Sequence, residues 1–311
     1  MEWWISFLAA AIIAGTPLLF ATLGGILSER VGNMNLGIEG MMIMGAAVGF
    51  KVALASQNAL LAMAGAALAG AAGALIYAVL TIFFRANQVV TGLTLTIFGT
   101  GFANYLGQSF MGMTTPAAVK SFFTPVTLPI LGHIPILGPI FFQKDIFVYF
   151  GYLLVILLGI YVYKTRWGLN LSAVGQDPAA ADAASINVSL YKYVHVLLGG
   201  ALCGLGGAYL SLVYVPTWQT SITAGAGWIA VALIIFSTWN PYKSVLGAYL
   251  FGGLSILGFR LQGAGIHISQ YLLDMAPYIV TIIVLVIVSQ GKNKKNSPPK
   301  GLGNNYFREE R

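Results

Sequence analysis

Two carboxylates, Glu39 and Asp274, and one ammonium, Lys51, stand in stretches otherwise almost free of charge. Desolvating a charge in apolar surroundings is expensive, so each marks a candidate for proton or ion handling, solute contact or a structural role. A proton- or sodium-driven transporter needs a relay of such groups near mid-membrane. Only Glu39 and Asp274 could serve, and Asp274, near the start of its apolar stretch, could simply reach outer water. Other chemistries find less support. His133, His195 and His267 are far apart, with no carboxylate patterned beside them. Cys203 is the single cysteine and lies in an apolar segment, so no intrachain disulfide and no Cys/His metal cluster follow. There is no H-E-x-x-H and no G-x-S-x-G. A phosphate loop is missing as well, since Gly291-Lys292 runs on to Asn293 rather than Ser or Thr. These residue types point to moving a solute rather than to transforming one, with no cofactor or metal expected.

Three polar constellations remain. The run Ser28–Gly40 sets Asn33, Asn35 and Glu39 among Gly32, Gly37 and Gly40 at the mouth of an apolar stretch. Broken backbone at membrane depth is tolerated where it lines a cavity. Thr96, Thr100, Asn104 and Gln108 recur every four residues, so they share a slowly drifting helix face. Such a face serves either as helix–helix glue or as the lining of a wet pathway. The third constellation is the run Gly175–Val188. Asp177 suits an N-cap and Pro178 the first helical position, the alanines favour helix, and Asn187 can end it. A helix of two to three turns is predicted. It is either a connector resting on the membrane face or a peg that docks in a groove of another subunit. Gly45-x-x-x-Gly49 and Gly200-x-x-x-Gly204 read as close-packing devices.

The elements that position these residues are membrane spans. Of 311 residues 58% are hydrophobic and 8% charged, against about 25% charged in soluble domains. Apolar segments run over 3–27, 34–55, 58–84, 89–111, 146–163, 193–215, 227–239, 244–262 and 270–290, with 227–239 short enough to be a partial span. The first exceeds a signal-peptide core and lacks a basic lead. The expected fold is an all-α polytopic membrane protein of about 8–10 transmembrane helices, with residues 1–291 as one domain and 292–311 as a basic, disordered tail. The stretch 112–145 carries Pro116, Pro125, Pro129, Pro135 and Pro139 and cannot be one helix. With the C-terminal tail placed inside, Arg30, Arg85, Lys164, Arg166, Lys192 and Lys243 also fall inside. Lys51, Lys120, Lys144 and Arg260 fall outside, as does the N-terminus. Topology thus accounts for the net charge of +7, and no nucleic-acid partner is expected.

Glu29-Arg30-Val31-Gly32-Asn33-Met34-Asn35-Leu36-Gly37-Ile38-Glu39-Gly40 resembles the signature near the start of nucleoside-type permeases. These belong to the group of bacterial ABC importers that also serves simple sugars and branched-chain amino acids. Arg85-Ala86-Asn87-Gln88-Val89-Val90-Thr91-Gly92 resembles a second element of that group. Trp167-Gly168-Leu169-Asn170 with Ala173–Ala181 resembles its coupling loop, although Leu171-Ser172 stands where a basic residue is common and Gln176-Asp177 replaces Glu-Asn. The resemblance implies a permease that is not itself an enzyme, with ATP hydrolysis in a partner. The implied partners are a second, related permease, ATP-binding cassette subunits and an extracytoplasmic binding protein or lipoprotein. The chain looks like the smaller permease of such a pair, in the cell membrane, with a cytoplasmic C-terminus. Gly175, Gln176, Asp177, Pro178, Ala180, Ala181, Ala184, Ile186 and Asn187 then form the ATPase-coupling helix. Asn33, Asn35, Glu39, Gln88, Thr91, Thr96, Thr100 and Asn104 are candidates for the translocation path. The implied substrate is a nucleoside, with ribose-like sugars or branched-chain amino acids as alternatives and a secondary transporter further off.

Overall fold

The computed structural model describes residues 2–263 and 298–308, together with 269, 275–276, 278–283 and 286. Asp274, His267 and Lys292–Ser297 lie outside the described residues. The architecture is all-α. In chain order the helices are α1 (Glu2–Arg30), α2 (Ile38–Ser56), α3 (Ala59–Ala78), α4 (Gln88–Gly107), α5 (Ala117–Phe122), α6 (Ile146–Lys164), α7 (Arg166–Gln176), α8 (Pro178–Ala183), α9 (Val188–Tyr209), α10 (Ala226–Phe236) and α11 (Pro241–Gly263). A π-helical turn extends α3 to Phe83 and another extends α9 to Tyr214. Six described helices are long and apolar enough to cross a membrane: α1, α2, extended α3, α4 with its 3₁₀ end to Phe110, α6 and extended α9. The segment expected at 227–239 is the short apolar helix α10, and of 270–290 only 275–276, 278–283 and 286 are described, all helical.

Short polar side chains start these helices. Asn58, Asn87, Asp145, Thr165, Asp177 and Asn187 each accept a backbone N–H from the first turn of α3, α4, α6, α7, α8 and α9. Each cap satisfies a donor that the helix itself leaves orphaned.

The proline-rich stretch 112–145 breaks up as its composition requires. It contains α5 and a two-stranded antiparallel pairing of β1 (Val126–Thr127) with β2 (Gln143–Lys144). Lys144 ties this region to α1 by donating to the Ala9 carbonyl at 2.9 Å.

Helices α1, α2, α3 and α9 form the centre. Small residues let them approach backbone to backbone: a Cβ on Gly45 would collide with the backbone of Gly204, and one on Gly204 with Ala66 and Gly70. Both glycine pairs read from the sequence are therefore at helix crossings. Aromatic edges fasten α6 to this centre, with Phe147 5.2 Å from Phe20 and 5.3 Å from Tyr209 between ring centroids. Outward, α3, α4 and α6 present Leu68, Ile97, Tyr105 and Leu157 to the surroundings.

Arg30, Arg85, Lys164, Arg166 and Lys243 gather at helix termini on one side of the bundle, its basic end. Arg30 lies against Tyr163 of α6, and Arg85 lies over the Phe307 ring. At the opposite end Arg260 reaches the Ser6 carbonyl and Lys51 borders a recess with Tyr105 and Gln108.

Candidate functional site

The first site is built around Glu39. The chain leaves α1 at Arg30 and runs non-helically through Asn33–Asn35 before α2 starts at Ile38. Gly92 of α4 packs against the backbone of Leu36 and Gly37, so α2 begins about 6 Å along that helix from Gln88, and Gly40 follows against Leu95 and Thr96. From the other side, the chain beyond α9 returns inward and starts α10 at Ala226, with Gly225 in a left-handed conformation at φ +84°. The two helix starts meet at Glu39. Its Oε1 accepts the Thr223 hydroxyl at 2.5 Å and the Gly225 N–H at 3.1 Å, while Oε2 accepts the Gly227 N–H at 2.6 Å. The carboxylate thus sits in the first turn of its own helix and at the N-terminus of a second, both positive dipole ends. It ties together the starts of two helices from distant parts of the chain.

The remaining path candidates divide by their partners. Asn35 Oδ1 accepts the Gly37 N–H, and the Thr96 hydroxyl donates to the Leu36 carbonyl at 3.1 Å. Thr96 is therefore a tie between α4 and the 31–37 connector. Thr91 and Thr100 turn back onto carbonyls of their own helix. Gln88 lies at the basic end, where its Oε1 accepts the Met34 N–H at 2.7 Å. Asn33 Nδ2 is 3.5 Å from the Thr81 hydroxyl, while the carboxamide oxygens of Asn33 and Asn104 are buried with no hydrogen-bond partner among the described residues. A buried acceptor without a partner is costly unless something else meets it.

The second site lies at the basic end. Helix α7 stops at Gln176, and the chain bends at Asp177 and restarts as α8. Asp177 is the N-cap as expected, its Oδ1 accepting the Ala180 N–H at 3.0 Å. The predicted extent needs correction. α8 has six residues, ends at Ala183, and is followed by Ser185 at φ +62°. Asn187 does not end it; its side chain caps α9 through the Leu190 N–H at 3.0 Å. Gly175 is pressed against the Arg30 carbonyl, a contact that leaves no room for a side chain. Ala181 is buried, whereas Gln176, Asp177, Ala180, Ala183, Ala184 and Asn187 are exposed and Pro178 and Ile186 half-buried. The outer surface of α8 is therefore small and smooth, while α7 exposes Trp167 and Leu169.

Sequence reasoning missed two sets of residues. Glu29 and Arg30 clamp the turn after α10: Trp239 Nε1 donates to Glu29 at 2.6 Å, and Arg30 Nε donates to the Trp239 carbonyl at 2.7 Å. The pattern Thr223-x-Gly225-x-Gly227 was the available signal for the Glu39 partners. The expected disordered tail is also different over 298–308. There it lies against the basic end, with the Gly301 N–H on the Gly175 carbonyl at 2.9 Å.

Residues 7–288 match the family described as branched-chain amino acid transport system / permease component. The chain is 36% identical to the nucleoside ABC transporter permease NupC of Lactococcus lactis, covering 96% of each chain. It is 34% identical to the guanosine ABC transporter permease NupQ of Bacillus subtilis, covering 97% of this chain and 96% of that one. It is also 34% identical to the putative glucose ABC transporter permease TsgC13 of Haloferax volcanii, over 99% of both. A capped helical elbow between apolar spans, with two helix starts joined at Glu39, is thus the setting of a multi-pass ABC-importer permease, and the chain belongs to the branched-chain amino acid transport system permease family.

Proposed function

We propose that this chain is the smaller permease of an ATP-driven nucleoside importer and that its partner ATPase engages the α7–α8 elbow. One observation carries the coupling role. The elbow between α6 and α9 is fixed to the bundle through Gly175 and Ala181, and its α8 turn exposes Asp177, Ala180, Ala183 and Ala184, none of them bulky. A rigid peg without bulky side chains fits a groove on a partner. The basic end is then cytoplasmic, as short loops rich in Lys and Arg favour. ATP-driven closure of the partner pair would push the elbow and, through Gly175 and Arg30, the end of α1. The path opens and closes around the start of α2, with Asn33 in the connector before it and Asn104 further along α4 offering unpartnered oxygens to a polar solute or to a second permease. A binding protein or lipoprotein delivers solute at the opposite end.

Nucleosides are the favoured cargo because the relatives NupC and NupQ carry nucleoside and guanosine in their names. Simple sugars are the second reading, favoured by the similarity to TsgC13. The test of coupling is Ala180→Glu with Ala184→Glu, expected to leave the permease folded but unable to retain its ATPase. A normal complex purified from this variant contradicts the coupling role.

A further inference from the structure

We infer that the C-terminal segment 298–308 is a strap that fixes the position of α8 relative to the start of α2, so that displacement of the elbow is passed to that helix. The inference rests on the coupling role proposed above.

The strap touches three parts of the basic end in turn. At the elbow, the Gly301 N–H donates to the Gly175 carbonyl and the Lys300 N–H approaches Gln176 Oε1 at 3.4 Å. At the 31–37 connector, the Gly303 N–H donates to the Gly32 carbonyl at 3.2 Å, with Gly303 at φ +82°, a conformation that glycine adopts without strain. At the head of α4, Asn305 uses its whole carboxamide: Nδ2 donates to the Arg85 carbonyl at 2.6 Å and approaches that of Ala86 at 3.3 Å, and Oδ1 accepts from Gln88 Nε2 at 3.2 Å. The strap then returns to α8, where the Tyr306 hydroxyl donates to Asp182 Oδ2 at 2.7 Å and Arg308 Nε lies 3.3 Å from the same oxygen.

The same Gln88 side chain that the strap engages holds the Met34 N–H. A route of hydrogen bonds joined by the covalent Asn305–Tyr306 backbone therefore runs from Asp182 on α8 to Gln88 and into the connector that leads to Glu39. Helix α8 needs such a holder. At six residues it is far shorter than an isolated helix that persists in water, so its order comes from what packs on it. Arg308 is largely exposed and contributes little as an ion pair. The bonds of Asn305 and of the Tyr306 hydroxyl are the ones that matter.

Two variants of the full assembly test this: deletion of 298–311, and Asn305→Ala, which leaves the chain length unchanged. The first reading is amide hydrogen exchange across 179–184 in the detergent-purified permease, which needs no ATPase. Both variants are expected to exchange at least tenfold faster there. Unchanged exchange in the deletion overturns the strap. The second reading is made in proteoliposomes with the ATPase, second permease and binding protein. ATPase retention is expected to stay normal while uptake of guanosine per ATP hydrolysed falls at least fivefold. Full coupling in the deletion, or loss of the ATPase from it, overturns the strap. Failure of the intact chain to retain any ATPase would instead strike the coupling reading, leaving the exchange result to judge whether 298–308 holds α8.

Discussion

Glu39 shows how a buried charge is made tolerable by geometry. Both carboxylate oxygens act as acceptors, one for two donors and the other for one. Glu39→Gln supplies a single oxygen and turns an NH2 group towards a donor at the start of α10. A loss of roughly 1–3 kcal/mol is expected, since a buried donor is left unsatisfied. It should appear as a lower unfolding midpoint of the detergent-purified protein, and an unchanged midpoint would remove Glu39 from this role. Lys144 carries a pH signature at the other end. Burial lowers its ammonium from an ordinary 10.5 to about 8. Between those values the unfolded chain holds a proton that the folded chain has shed, so stability rises with pH across that window. The unfolding midpoint of the native chain should gain on that of Lys144→Met between pH 8 and 10; parallel profiles contradict this. That Glu39 matters was legible from one acid in an apolar run. Its partners were not, because Thr223, Gly225 and Gly227 lie more than 180 residues away and only the inward return after α9 brings them together.

At the scale of elements, the caps were the clearest message of the sequence. Asp177 does what its position before Pro178 implies, and Asn87, Asp145 and Asn187 act alike at other helix starts. The error over Asn187 has a simple physical origin. Asn can end one helix or begin the next, and here Ser185 and Ile186 complete the turn so that Asn187 opens α9. Asp177→Ala removes the only side-chain cap of α8. A loss of about 1 kcal/mol is expected, read as a roughly fivefold faster amide exchange over 179–184. Exchange equal to that of the native chain would mean that tertiary contacts alone order α8. The tail misled for a compositional reason. Lys292, Lys294, Lys295, Pro298, Pro299 and Lys300 are the residues of a solvated segment, and the anchoring depends on Gly301, Gly303 and Asn305 meeting backbone groups on distant elements and on Tyr306 meeting the Asp182 carboxylate.

In the whole molecule, small residues at helix crossings set the spacing. The membrane character and the packing glycines were visible in composition and in four-residue spacing. The level at which α2 begins was not, since it depends on Leu36 and Gly37 settling against Gly92. Gly45→Val would drive a side chain into the Gly204 backbone. Overpacking of this kind costs about 1–3 kcal/mol, so a lower unfolding midpoint and aggregation during size-exclusion chromatography are expected. A monodisperse protein of native stability would contradict the crossing. The same central bundle joins the elbow to the start of α2, the connection that the proposed coupling uses. The decisive measurement is ATP hydrolysis by the reconstituted complex of this chain, its second permease, its ATPase and its binding protein, titrated in parallel with guanosine, glucose and leucine. Stimulation by guanosine that disappears in the Ala180→Glu, Ala184→Glu variant is the expected result. Stimulation by glucose or leucine alone, or guanosine stimulation that survives in the variant, would contradict a nucleoside permease driven through α8.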